Sequence, residues 1–170
     1  MRRAAAAAGS AAFFLLAPGV VAGAVPWWLT GWRFRDPLPY WAPLRLLGAA
    51  LALVGAAVLL SSFVQFVAEG IGTPAPVAPT QRLVVGGLYR YVRNPMYLAV
   101  LATIAGQALL LGQLVLLLYA AAVAAAFVAF VRGYEEPTLH RRYGAKYDSY
   151  RRSVPGWWPR YPRGDTRRTR

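Results

Sequence analysis

The sequence predicts an all-α, polytopic membrane protein, with four transmembrane helices and then a C-terminal amphipathic helix at the interface. Three observations predict it. The 170 residues are 58% hydrophobic, yet they carry a formal net charge of +13. That charge is segregated: eleven of the nineteen Lys and Arg lie in residues 132 to 170, and long runs elsewhere hold none. The uncharged runs approach or exceed the ~20 residues that a helix needs to cross a hydrocarbon core of ~30 Å.

The first run, Ala4 to Val25, follows Arg2 and Arg3. A signal peptide would share that pattern, but no clean cleavage site precedes a soluble domain and further apolar runs follow, so an uncleaved span is expected. The second span runs from near Pro43 to Ala68, with Arg45 in its first turn where a long side chain can snorkel to headgroups. Between the two lie Trp27, Trp28, Trp32 and Trp41, the amphipathic rings of an interfacial aromatic belt. Met96 to Val131 is uncharged over 36 residues. One helix of that length would be about 54 Å long, so two spans joined at Gly112-Gln113 are expected, over about 96–111 and 114–131. The small side chains of Ala121 to Ala126 permit close helix approach there.

Charge placement gives an orientation. With the N-terminus inside, Arg2, Arg3, the 69–95 connection and the C-terminal tail face the cytoplasm, leaving Arg33, Arg35 and Arg45 outside. The chain then divides into residues 1–43, a span with its outer loop, and 44–170, a membrane core with a cytoplasmic C-terminal segment. Both termini are expected in the cytoplasm, and the expected setting, from the resemblance described below, is a bacterial inner membrane. Positive-inside topology and anionic headgroups account for the basic excess without nucleic acid, which is not expected as a partner. Absence of cysteine excludes disulfides, thiolate metal sites and a cysteine nucleophile, and a single histidine, His140, excludes a histidine cage for zinc.

Two polar segments need explaining. The Pro/Ala-rich stretch 70–80 is disfavoured as helix and reads as an ordinary connection. Leu83 to Tyr97 is a less ordinary entry to a membrane helix. Gly86-Gly87 permits positive φ or a close backbone approach. Pro95 suits a first helical turn, with Arg93 and Asn94 just ahead of it, where free N–H groups favour an anion. Arg93 is either a simple inside anchor or part of a polar pocket with Asn94, Tyr91 and Tyr97 at headgroup level. In the second segment, 132–150, Leu139, Tyr143, Tyr147 and Tyr150 are spaced by 4, 4 and 3 and would share one helix face, the stripe of an amphipathic surface helix. Glu135 and Glu136 are anomalous in so basic a tail. Either they pair with Arg132 or Arg93, or they face a ligand carrying amine, hydroxyl or sulfonium groups. Gly144 costs about 1 kcal/mol in a helix interior and hints at a tight packing contact. From Ser153 to Pro162 the chain is too proline-rich for helix, and Trp157-Trp158 would anchor it or cover a pocket.

Together, Gly87-Leu88-Tyr89-Arg90-Tyr91-Val92-Arg93-Asn94-Pro95-Met96-Tyr97 and the later Glu135-Glu136, Leu139, Tyr143-Gly144-Ala145-Lys146-Tyr147, Tyr150 and Val154-Pro155 resemble the isoprenylcysteine carboxyl methyltransferase family and the related bacterial phospholipid-methyltransferase-like membrane proteins. The resemblance covers about residues 45 to 160. It implies binding of S-adenosylmethionine without a metal, in a pocket at the cytoplasmic face, with a lipid-like acceptor arriving from the bilayer. Carried onto this chain, Tyr91, Arg93, Asn94, Pro95 and Tyr97 would form one wall of the cofactor site. Glu135, Glu136 and Tyr147 would form the other, with Arg93 and Glu136 acting in catalysis. Asn94 stands where the prenylcysteine enzymes usually have His, and an amide cannot act as a base near neutral pH. Ala99 replaces a residue that is often Gly. The acceptor implied is a prenylcysteine-like carboxylate, an amine-bearing lipid or a small hydrophobic molecule. A similar core in sterol reductases makes an NADPH-dependent reductase the alternative, although the chain is short for it and has no Rossmann glycine fingerprint; a non-enzymatic scaffold is the third reading.

Overall fold

The computed structural model describes residues 17–70 and 83–161, with side chains described for all of these but 66–70. The start of the first span, the 71–82 connection with Arg82, and the tail from 162 lie outside the described residues. The described chain is all-helical and membrane-embedded. Its apolar stretches form α1 (Val25–Thr30), α2 (Ala42–Gly70), α3 (Pro95–Leu111) and α4 (Val115–Phe130), and the basic segment forms α5 (Glu136–Tyr143) and α6 (Ala145–Ser153). Among the described residues, two helical stretches are long and apolar enough to cross a membrane, Ala42–Gln65 and Val115–Tyr143, while the apolar α3 is shorter.

The 36-residue run divides where the glycine stands. Gly112 closes α3 with φ +67°, the left-handed geometry that ends a helix at low cost only for glycine. Its missing side chain also admits the Arg35 carbonyl, since a Cβ would collide with it. The 31–41 loop seals this end: Arg35 N–H donates to Leu111 O (2.8 Å), and Gln113 Nε2 to Arg33 O (2.8 Å). Trp41 departs from the expected belt. It is buried, and its indole N–H donates to Leu109 O at 2.8 Å, whereas Trp27, Trp28 and Trp32 are exposed. Arg45 is held by Asp36 at 2.7 Å, beside the Phe34 ring.

The close helix approach lies at α2 and α3, not at the alanine run. A Cβ on Gly48 would strike the backbone of Leu110 and Gly106, and one on Gly106 would strike Ala52. Backbones thus meet directly through small residues, the packing that works where lipid removes any hydrophobic drive between helices. Ala121, Ala122, Ala125 and Ala126 are exposed instead. Small side chains permit approach but do not compel it, and α4 packs on α3 through larger ones, Leu116 and Phe127 reaching the cluster around Ile104.

The first described helical stretch carries a π-turn, Val20–Ala24, leading into α1. Such a turn loosens backbone pairing, and the carbonyls are taken up by interior polar side chains: Tyr119 OH donates to Val21 O (2.9 Å) and Gln107 Nε2 to Ala22 O (2.7 Å). This docks the first helix on α3 and α4.

One expectation fails. Leu139 to Tyr150 is not a single helix, because Gly144 (φ +52°, ψ −129°) breaks the run between α5 and α6. Nothing lies within 4 Å of a Cβ built there, so the glycine serves backbone geometry rather than tight packing.

Candidate functional site

The polar entry to α3 and the twin glutamates meet at the end of the bundle opposite the 31–41 loop. A 3-10 turn, Gly87–Arg90, leads into this entry, and Gly87 takes φ +46° against the Gln65 side chain. Asn94 occupies the N-cap position of α3 without a side-chain capping bond, and Pro95 opens the helix, as the missing N–H of proline allows. Arg93 therefore stands just outside the helix and Tyr97 in its first turn. From the other side, α4 continues through a π-turn, Val131–Glu135, into α5, and this widened turn delivers Glu135 and Glu136. π-turns of this kind are frequent at functional sites.

Arg93 is the hub. Its Nη1 donates to Glu136 Oε1 at 2.8 Å and to Tyr147 OH at 3.0 Å, and its Nε donates to Val154 O at 3.1 Å. Only 14% of the arginine side chain and 15% of the glutamate are exposed, so the pair is partly desolvated and stronger than a surface bridge. Arg151 Nη2 approaches the other oxygen of Glu136 at 3.3 Å. Both carboxylate oxygens of Glu136 thus face a guanidinium. Glu135 has different company: Tyr97 OH donates to its Oε1 at 2.5 Å. The Tyr97 ring packs on Phe127 (centroids 4.5 Å apart) and near Trp157 (6.4 Å).

The Val154–Tyr161 segment lies across this cluster as a strap held by main-chain bonds. Arg93 N–H donates to Pro155 O (2.9 Å) and Arg160 N–H to Tyr91 O (3.0 Å), while the Tyr150 side chain of α6 donates its OH to Tyr89 O (2.5 Å). Asn94 belongs to this system: its Nδ2 donates to Gly156 O at 3.1 Å. Gly156 sits against Arg93 Nη2, which a Cβ would approach to 3.1 Å. Among the described residues, Nη2 has no hydrogen-bond partner. Burial raises the pKa of Tyr147, opposed in part by the Arg93 charge, and burial raises that of Tyr150 well above the usual phenol value. Both phenols stay protonated near neutral pH.

Of the residues singled out from the sequence, Arg93, Asn94, Tyr97, Glu135, Glu136 and Tyr147 are brought into one connected cluster. Tyr91 and Pro95 are not. They line an apolar groove beside α2, where Tyr91 stacks edge-on to Tyr161 (5.8 Å) and under the Arg90 guanidinium. The ion pair of Glu136 with Arg93 is one of the two alternatives the sequence left open, and Glu135 takes neither arginine. Sequence reasoning did not find Phe127, Arg151 or Gly156. Phe127 looks like any core aromatic, Arg151 like any tail arginine, and the role of Gly156 shows only in three dimensions.

A sequence model of the family described as phospholipid methyltransferase matches residues 44–146, well over half of the chain. No curated protein matches it. The matched span contains the first polar segment, the apolar hairpin and the second polar segment as far as Lys146; Tyr147 and the 154–161 strap lie beyond it.

Proposed function

Because the chain belongs to the phospholipid methyltransferase family, an S-adenosylmethionine-dependent membrane enzyme, we propose that the Arg93–Glu136 and Tyr97–Glu135 cluster is its active site, and that the acceptor is a lipid-like or small hydrophobic molecule bearing an amine or a carboxylate. The observation that carries this reading is the convergence of two segments about forty residues apart on one partly buried ion pair, Arg93 to Glu136 at 2.8 Å. The chemistry of the donor set fits the cofactor. The open Nη2 of Arg93 suits its carboxylate, Glu135 suits its amine or ribose hydroxyls, and the Tyr97, Phe127 and Trp157 rings suit its sulfonium or base. When bound, S-adenosylmethionine supplies an electrophilic methyl group.

The residues of the chain supply position and charge, which account for most of the help such a displacement needs. Glu136 and Tyr147 fix the Arg93 guanidinium in one orientation, with Val154 O holding Nε. Trp157 and the strap shield the cluster. A carboxylate acceptor is already ionised at neutral pH and needs no base. An amine acceptor must shed a proton, and Glu135, with Tyr97 hydrogen-bonded to Oε1, is the carboxylate not engaged by a cation. In this reading Glu136 acts through Arg93. The four-crossing topology, the cytoplasmic position of the cluster and the interfacial placement of α5 and α6 belong to the same proposal, supported by the concentration of basic residues at this end.

Calorimetric titration in detergent with S-adenosylmethionine and, separately, NADPH tests the reading. Binding of the first and not the second is expected, with labelled methyl transfer into membrane lipid extract. Affinity for NADPH alone would favour the reductase reading, and affinity for neither would favour a scaffold.

A further inference from the structure

A second feature lies on the other flank of α3. Pro95, Leu98, Ala99 and Ala102 recur at helical spacing and share one face, about 150° around the helix from Tyr97. With Val54, Gly55 and Val58 of α2 they form a groove of about 450 Å³, within the range of small-molecule sites (roughly 300–1,000 Å³). The groove exists because α2 and α3 approach so closely: a Cβ on Gly55 would strike Thr103, and the small side chains along this seam leave a furrow. Its lip is exposed, Val54 by 59%, on the flank that faces hydrocarbon in a membrane-embedded bundle.

The rim differs from the floor. Pro159, Arg160 and Tyr161 of the strap close one end beside Tyr91, and the Arg90 guanidinium lies 5.1 Å from the Tyr91 ring centroid. Arg90 and Arg160 are exposed, and among the described residues neither has an ion-pair partner. An apolar furrow with uncompensated cations at one end is complementary to one kind of occupant, an acyl chain that ends in a negative group at headgroup level.

We propose that this groove binds one acyl chain of an anionic phospholipid, with its phosphate held at Arg160 and Arg90. The site is distinct from the Arg93–Glu136 cluster and does not depend on the methyl-transfer reading. Native mass spectrometry of the full chain in non-ionic detergent, with added dioleoyl phosphatidylglycerol, tests it. One retained lipid is expected, with weaker retention of dioleoylglycerol, which lacks the phosphate, and no competition from glycerol 3-phosphate, which lacks the chains. Ala102→Phe, filling the floor, and Arg160→Gln, removing a rim charge, should each lower retention at least about fivefold. Arg142→Gln, on exposed α5, should retain the lipid as the unaltered protein does and controls for general charge. If Ala102→Phe fails to fold, Val54→Trp on the lip carries the same expectation. Unchanged retention in either groove variant, equal retention of dioleoylglycerol, competition by glycerol 3-phosphate, or an equal loss in Arg142→Gln would overturn the proposal.

Discussion

Glu135 and Glu136 are neighbours in sequence with different environments, and that difference separates their expected effects. Glu136 faces Arg93 at 2.8 Å and Arg151 at 3.3 Å. Glu136→Gln removes the charge that orients Arg93, so cofactor affinity should fall at least tenfold, about 1.4 kcal/mol. Calorimetry reads it, and an unchanged affinity would remove Glu136 from the site. Tyr97→Phe keeps the ring on Phe127 but takes the hydroxyl from Glu135. If that pair accepts a proton from an amine acceptor, kcat should drop by at least about tenfold while cofactor affinity changes less than about twofold. Equal losses in both would mark Tyr97 as a binding residue instead. Asn94, which stands where the prenylcysteine enzymes usually have His, was expected to line the cofactor site. Its amide ties down the strap at Gly156 O, a bond no sequence pattern reveals because its partner is a backbone carbonyl 62 residues away.

At the scale of the helix, the legible features were those decided locally. Gly112 ends α3 because left-handed geometry is cheap only there, and Pro95 starts it because the lost N–H has no partner in a first turn. The tyrosine stripe from Leu139 to Tyr150 misled because spacing assumes unbroken helix, and one backbone angle at Gly144 overrides it. The alanine run shows the limit of composition, which says which faces can approach, whereas the partner helix decides which do. Gly144 and Gly133 therefore make a matched test. Neither has an atom within 4 Å of a built Cβ, but only Gly144 has positive φ. Gly144→Ala should destabilise by about 1–3 kcal/mol through backbone strain alone. Gly133→Ala, in helical geometry, should be neutral or stabilising by up to about 1 kcal/mol. Thermal unfolding in detergent compares them, and shifts of the same sign would refute the backbone account of Gly144.

Over the whole molecule, the two ends of the bundle are set apart by charge as well as by structure. The 31–41 loop and the α3–α4 turn close one end, while the site, the strap and α5–α6 occupy the other, with most of the described basic residues. Hydropathy and charge make this division legible in the sequence, because both depend on composition over tens of residues. The pairing of Glu136 with Arg93 was one alternative that charge left open, but the gathering of residues 89–97 and 135–161 into one site was expected only through the family resemblance. Whether the two ends face opposite sides of the membrane is open to direct measurement, because the chain has no cysteine and any introduced thiol is unique. Leu38→Cys sits in the exposed loop, and Ser149→Cys is a near-isosteric change on exposed α6. A membrane-impermeant maleimide applied to intact cells should label Leu38→Cys, and should label Ser149→Cys only after permeabilisation. The reverse pattern would invert the orientation and place the cluster outside. Labelling of both from one side would mean that an even number of crossings separates the two positions, and the four-helix topology would have to be redrawn around the two long apolar stretches alone.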